Sequence, residues 1–393
     1  MSAAGIGVEQ HWLGATDHAL AKLEKGPYDL AVVFAHPAFE SQLESIAREI
    51  ETRLSARTLI GCTGQGVIST AREVEGTPAI AVAAFNLPGA TLIPARLGQA
   101  EMVATPLEPA AWRSLLGVAP EAVHAWLVIA DPFTFDVDRL TAGLQVGYPG
   151  VPVMGGMASG DAQTRGTRLV LGHDAINEGA IVVAIGGAWT LHPVVSQGAE
   201  PIGDAWTVTA VSGSMVEGIG GRRAVDVLRD TLASLSEEER DRAMRNLLIG
   251  LAMNEYTDEF RRGDFLIRNL QGFHPQTGAI AIGDQPRVGQ TVQFQVRDAA
   301  AADEELEAML DRAESDLAGT PPQGALLFSC NGRGVGLFRT PHHDAAAVDR
   351  HFSGLPIAGF FCNGEIGPVG GKTYLHGFTA SIGFFVPVEP AAS

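Results

Sequence analysis

Residues 356–365 read PIAGFFCNGE, a short apolar stretch that runs into a polar loop bounded by glycines. An apolar stretch at 325–329 and helical spacing at 344–352 precede it, and another apolar stretch follows at 379–385. Short apolar stretches that alternate with helical patterns are typical of α/β folds. The order predicts a unit of strand, helix, strand, glycine loop and strand.

The same order occurs twice more, around IGCTGQG (60–66) and VMGGMASGD (153–161). In each copy two glycines lie five residues apart, at 61 and 66, 155 and 160, and 359 and 364. We therefore expect an α/β fold of two domains with mixed β-sheets and flanking helices, built from repeats of this unit. A two-sheet sandwich flanked by helices is the alternative, and chance similarity between α/β segments is the alternative to a repeat.

The length of 393 residues exceeds what one hydrophobic core usually organises. Glycine and serine cluster at 212–221, so we predict domains at 1–215 and 216–393. Between the second and third copies, 222–235 has the pattern of an amphipathic helix, with Val225, Leu228 and Leu232 on one side.

A formal net charge of −18 argues against nucleic acid and anionic membranes as partners. The longest apolar run, at 179–189, is too short to span a membrane, and no signal peptide is recognisable. Three cysteines suit a reducing compartment. We expect a cytoplasmic protein without cofactor or metal.

Glycine loops at strand ends expose backbone N–H groups and let a ligand approach closely. Candidate binding residues in the first two loops are Gly61, Cys62, Gly155 and Gly156. Neither loop has the G-x-G-x-x-G or Walker A pattern, so nucleotide binding is not indicated. A tight structural turn is the alternative role of each loop.

The tripeptide Cys-Asn-Gly occurs twice, each time just after a predicted strand. If these strands are neighbours, both tripeptides face one crevice, which makes Cys330, Asn331, Cys362 and Asn363 candidate ligand contacts. A cysteine nucleophile needs an activating base, and no familiar Cys–His signature is present. A structural role for the thiols is the simpler interpretation.

Arg333 and Glu365 directly follow the two tripeptides. The guanidinium can bind a carboxylate with two hydrogen bonds, and the carboxylate can bind an ammonium group. The pair would suit a zwitterion such as an amino acid. The alternative is an internal Arg333–Glu365 salt bridge, because buried charges are usually paired.

Three further residues end predicted strands. Asp131 lies either in a crevice or at the start of the following helix. Arg268 and Asn269 are secondary candidates.

Several of these blocks resemble the FIST family. FLIRN (265–269), FSCNGRG (328–334) and GEIGP (364–368) are similar to its C-terminal domain, and GCTGQG (61–66), Asp131-Pro132 and GGMASG (155–160) to its N-terminal domain. The resemblance covers about 29–385 and implies a sensory domain of signal transduction that binds small ligands, with amino acids among them. Val67 departs from it, since members usually carry Glu there.

We therefore expect a ligand-binding sensor whose ligand is an amino acid or small carboxylate. It would pass its signal to a separate protein, since no output segment is recognisable in the chain. The alternatives are a Cys-dependent hydrolase or transferase and a protein-interaction module; on balance the sequence favours a protein that is not an enzyme.

Overall fold

The computed structural model describes residues 1–161, 166–256, 260 and 262–388. These form two compact units. The first comprises Met1–Val195 and Glu307–Ser393, and the second comprises Ser196–Leu306. The domain boundary predicted between residues 215 and 216 falls within the second unit. The division of the chain into two domains at that point stays a prediction. Within the described ranges, no helix is both long and apolar enough to cross a membrane.

The first unit contains three six-stranded mixed sheets. In spatial order, the first sheet is β1 (Ala3–Val8), β6 (Ala79–Phe85), β2 (Tyr28–Ala35), β3 (Ala56–Thr63), β10 (Leu169–Leu171) and β11 (Asp174–Ile176). The second is β24 (Lys372–His376), β23 (Gly364–Val369), β9 (Val153–Met157), β8 (Ala125–Ala130), β12 (Ala180–Gly187) and β7 (Ala90–Leu97). The third is β13 (Trp189–Ser196), β25 (Ala380–Pro387), β21 (Ala325–Cys330), β22 (Ile357–Cys362), β4 (Gly66–Ser69) and β5 (Arg72–Glu75).

Among the described residues of the first unit, the helices that flank these sheets are α1 (Trp12–Leu20), α2 (Leu43–Leu54), α3 (Gln99–Ala104), α4 (Pro109–Leu116), α5 (Val137–Gly147), α9 (Gly334–Phe338) and α10 (His343–His351). Short 3₁₀ turns lie at Pro37–Gln42 and Pro120–Ala122. Helix α2 buries five apolar side chains that recur at helical spacing, Leu43, Ile46, Ala47, Ile50 and Leu54. Strands β2, β6, β8, β21 and β22 are buried along their whole length, as expected for strands covered on both faces.

The predicted repeat is confirmed. In each copy two strands joined through a helix pair in parallel, and a third strand pairs antiparallel to the first: β2, β3 and β6; β8, β9 and β12; β21, β22 and β25. The registers agree, because Val33 faces Gly61, Val128 faces Gly155 and Leu327 faces Gly359.

A hairpin follows the second strand of each copy, and it pairs with a different copy. The β4–β5 hairpin joins β22, β10–β11 joins β3, and β23–β24 joins β9. Each sheet therefore contains a hairpin from another copy, and the three copies are interlocked in a ring.

The first glycine of each pair belongs to a strand and not to a loop, which corrects the sequence prediction. A β-carbon on Gly61, Gly155 or Gly359 would lie 1.8, 1.9 or 1.8 Å from the facing carbonyl oxygen of the parallel neighbour. Only glycine fits there. The loops begin two to three residues later, after Thr63, Met157 and Cys362.

The second unit contains a seven-stranded antiparallel sheet that closes on itself through an extra β14–β15 pairing. Its strands, in spatial order, are β14 (Ala199–Ser212), β20 (Thr291–Arg297), β17 (Leu247–Ala252), β18 (Phe265–Phe273), β19 (Ile280–Ile282), β15 (Met215–Ile219) and β16 (Arg222–Arg223). Helices α6 (Ala224–Ser234) and α7 (Glu237–Asn246) belong to this unit, and α8 (Ala299–Asp316) crosses its sequence boundary. Ser236 begins α7 with a capping box, in which its hydroxyl accepts the N–H of Glu239.

Candidate functional site

The loops that follow the second strand of each copy meet one another within the first unit. The backbone N–H of Ser159 donates to the carbonyl oxygen of Thr63 at 3.1 Å. The N–H of Asn363 donates to the carbonyl of Met157 at the same distance. These are equivalent bonds, the first from the second copy to the first and the other from the third copy to the second.

The third link of this ring passes through a side chain. The N–H of Gln65 donates to the hydroxyl of Ser159 at 2.8 Å, and that hydroxyl donates to the carbonyl of Phe361. The side-chain amide of Gln65 also donates, through Nε2, to the carbonyl of Gly160 at 2.7 Å. Ser159 is fully buried, so it closes the ring and is not exposed for chemistry.

A cleft of about 370 Å³ opens beside this ring. Residues of all three copies line it: His36, Pro37, Gln65, Gly66, Glu75, Gly76, Gly160, Asp161, Asn331 and Phe361. Its volume lies within the range of small-molecule sites.

The charged side chains of the cleft lining are acidic. Glu75 and Asp161 are both exposed, and the described residues of the lining include neither Lys nor Arg. Oε1 of Glu75 accepts the N–H of Val335 at 3.0 Å, which fixes the carboxylate at the start of α9. The cleft thus presents negative charge to a ligand.

His36 supplies a neutral group to the cleft. Burial lowers the pKa of its imidazole, which favours the uncharged form at neutral pH. The N–H of Ala38 donates to Nδ1 at 3.2 Å, so the proton of the neutral ring resides on Nε2. His36 therefore offers a hydrogen-bond donor without adding positive charge.

The two asparagines of the repeated tripeptide lie side by side. Nδ2 of Asn331 donates to Oδ1 of Asn363 at 2.9 Å, and the Asn331 N–H donates to the carbonyl of Cys362 at 3.0 Å. Asn331 lines the cleft, and Asn363 orients its amide.

Arg333 is placed differently from what the sequence predicts. Its guanidinium is fully buried, and Nε and Nη2 each donate to a different oxygen of Asp344 at 2.8 Å. The centroid of the Phe338 ring lies 5.1 Å from Cζ of the Arg333 guanidinium. Asp344 thus takes the position that we expected a ligand carboxylate or Glu365 to take, because an arginine at this depth needs an anionic partner.

Asp344 and Glu365 differ in charge state. Burial alone would raise the pKa of Asp344, but the attraction of Arg333 holds it below its ordinary value. Glu365 is fully buried, accepts the N–H of Thr379 at 3.2 Å, and has a pKa raised well above its ordinary value by burial. A neutral Glu365 is a poor partner for a ligand ammonium.

The three cysteines are buried and free. Burial, followed by the nearby Glu365, raises the pKa of Cys330 to about 12, and burial raises those of Cys62 and Cys362 well above the ordinary range. A nucleophilic cysteine requires the opposite shift. These positions suit structural thiols.

The remaining sequence candidates are not among the described residues that line the cleft. A β-carbon on Gly156 would lie 2.5 Å from Sγ of Cys362, so that glycine allows close packing. Asp131 is buried and accepts hydrogen bonds from the hydroxyls of Thr134 and Thr167, while Asp136 caps α5. Arg268, paired with Asp284 at 2.6 Å, and Asn269 belong to the second unit.

Four polar side chains of the cleft escaped the sequence prediction: His36, Gln65, Glu75 and Asp161. The repeat could have identified His36, because His36-Pro37 occupies the position in the first copy that Asp131-Pro132 occupies in the second. No comparable pattern identifies Glu75, because its hairpin β4–β5 reaches the cleft only by pairing with β22 of the third copy.

Comparison with protein families matches 29–222 to the FIST N domain and 224–368 to the FIST C domain. FIST domains are recognised as sensory domains of signal transduction. "Uncharacterized protein Rv0628c" of Mycobacterium tuberculosis is 38% identical over 372 residues, 95% of each chain. "Uncharacterized protein Mb0898c" of Mycobacterium bovis is 36% identical over 358 residues, 91% of this chain and 90% of that one.

Among solved structures, a cyanuric acid hydrolase matches with a TM-score of 0.30 and 11% identity, over 99% of this chain and 100% of that one. A similarity this low supports no conclusion about the present chain.

Proposed function

Because the chain belongs to the FIST family, we propose that it is a sensor whose cleft binds a small molecule with an ammonium group, and that amino acids are its main ligand class. The observation that carries this proposal is the acidic lining of the cleft where the three copies meet. Glu75 and Asp161 favour a cation, and a simple carboxylate would be repelled by both.

The neutral donors of the cleft favour a zwitterion over a plain amine. The Nε2–H of His36 and the amide of Asn331 can each donate to a ligand carboxylate. An amino acid would then place its ammonium at the carboxylates and its carboxylate at these donors.

A sensor must pass its state on to another component of the cell. We propose that a separate signalling protein reads the occupancy of the cleft. The cytoplasm is the proposed location, because the three cysteines are buried and unpaired.

Isothermal titration of the full chain with the twenty amino acids tests the proposal. Propionate and ethylamine serve as single-charge analogues of alanine. We expect saturable binding of at least one amino acid and at least tenfold weaker binding of either analogue. Binding of propionate as tight as that of alanine would refute the proposed charge preference.

Glu75→Gln is the informative variant, because the amide oxygen can still accept the Val335 N–H while the charge is lost. We expect it to weaken amino-acid binding by up to about fivefold, the effect of losing one exposed ion pair of ~1 kcal/mol. Glu101→Gln, on an exposed position of α3, is the matched control and should bind like the wild type.

A further inference from the structure

The second unit contains a groove of about 590 Å³ between α6, α7 and the adjacent strands, here called the arginine groove. Its lining residues are Val225, Leu228, Arg229, Leu232, Ala233, Arg240, Met244, Arg245, Leu247, Leu270 and Phe273. The FIST resemblance assigns it no role, and the cleft of the first unit shares no residue with it.

Helix α6 carries apolar side chains that the core covers only in part. Ala224, Val227, Leu228 and Thr231 are buried. Val225, Leu228 and Leu232 recur at helical spacing toward the groove, and Val225 and Leu232 are only half-buried.

Two large apolar side chains extend this surface into solvent. Met244 of α7 is 68% exposed and Phe273 of β18 is 52% exposed. Contiguous apolar surface of this kind marks binding sites in soluble proteins.

Among the described residues that line the groove, every charged one is an arginine. Arg229 pairs with Asp226 at 3.1 Å. Arg240 and Arg245 are exposed, and neither forms a side-chain ion pair within the described part of the chain. A concentration of positive charge beside an apolar groove stands out in a chain of net charge −18.

We propose that the arginine groove binds a free fatty-acid anion, with the acyl chain along the apolar wall and the carboxylate at Arg240 and Arg245. The apolar lining matches the chain, and the arginines match the head group with charge-assisted hydrogen bonds. The volume of the groove lies within the range of small-molecule sites.

The test is titration of the full chain with octanoate, decanoate and laurate, each below its critical micelle concentration. Burial of each added methylene should tighten binding several-fold, so that affinity rises roughly tenfold for every two carbons. Dodecanol, which has the same chain without charge, should bind at least tenfold more weakly than laurate.

The Arg240→Gln/Arg245→Gln double variant should lose at least tenfold in laurate affinity and keep its affinity for dodecanol. Arg242→Gln is the control, since Arg242 lies on the same helix but pairs with Asp298 at 2.7 Å outside the groove lining. Met244→Glu changes an exposed side chain, so it should fold and bind laurate more weakly.

Equal binding of laurate and dodecanol, or equal laurate binding by wild type and double variant, would overturn the proposal. Uptake of laurate without saturation would do the same, because it indicates detergent-like adsorption. Saturable binding of an acidic peptide, with no binding of laurate, would instead assign the groove to a protein partner.

Discussion

Gly61, Gly155 and Gly359 hold equivalent positions in the three copies, and each faces the carbonyl of a parallel neighbour. A side chain at these positions has to push two central strands apart. The strands also carry the loops of the cleft, so these glycines link the repeat to the candidate site.

Gly359→Ala should destabilise the protein by about 3 kcal/mol, because the added methyl would overlap the carbonyl oxygen of Leu327. Thermal unfolding followed by circular dichroism measures the effect. Gly319→Ala is the matched control, since a β-carbon there meets no atom within 4 Å. Equal melting temperatures for the two variants would contradict the close packing of the parallel strands.

Cys62, Cys330 and Cys362 should react slowly with iodoacetamide at pH 7.5 in the native protein. Burial raises the pKa of each thiol, that of Cys330 to about 12, so the reactive thiolate is scarce. Mass spectrometry after timed quenching measures the labelling, with urea-unfolded protein as the reference. Labelling of the native protein as fast as that of the unfolded chain would contradict buried, unreactive thiols and would support a cysteine-dependent activity.

Single helices and strands were predictable where a local pattern specifies them. The stripe of α2 and the buried strands β2, β8 and β21 follow from spacing and apolar content. The pairing of each hairpin with a different copy was not predictable from local pattern, because it joins segments as distant as β4 and β22, almost three hundred residues apart. Asn331 was identified as a cleft residue from its repeated tripeptide, whereas Glu75 reaches the cleft only because its hairpin pairs with β22 of the third copy.

The β4–β5 hairpin carries a buried acid into the third copy. Glu73 of β5 accepts the N–H of Ala345 at 2.9 Å. Burial, followed by the Asp344 carboxylate, raises the pKa of Glu73 to about 8 from an ordinary value of 4.5. The folded protein therefore retains this proton over a pH range in which the unfolded chain has lost it.

Glu73 should make the free energy of unfolding fall as pH rises from about 4.5 to about 8, with no further loss above that range. Glu73→Gln removes this titration and keeps an oxygen for the Ala345 N–H. The stability of the variant relative to wild type should thus increase with pH across the window, as measured by urea unfolding. Glu101→Gln is the control, and a difference between Glu73→Gln and wild type that is independent of pH would contradict a buried, protonated Glu73.

At the scale of the whole first unit, three copies of one α/β motif are interlocked by their hairpins, and the loops of all three line one cleft. Each copy therefore contributes both to the stability of another copy and to the candidate site. Acidic side chains from the first two copies and neutral donors from the first and third define the charge of the ligand that fits.

A crystal structure of the chain soaked with the amino acid that binds most tightly in titration tests this account most directly. We predict that the ligand occupies the cleft, with its ammonium within hydrogen-bond distance of Glu75 or Asp161 and its carboxylate toward His36 and Asn331. A ligand bound elsewhere, or one whose carboxylate faces Glu75, would contradict the account.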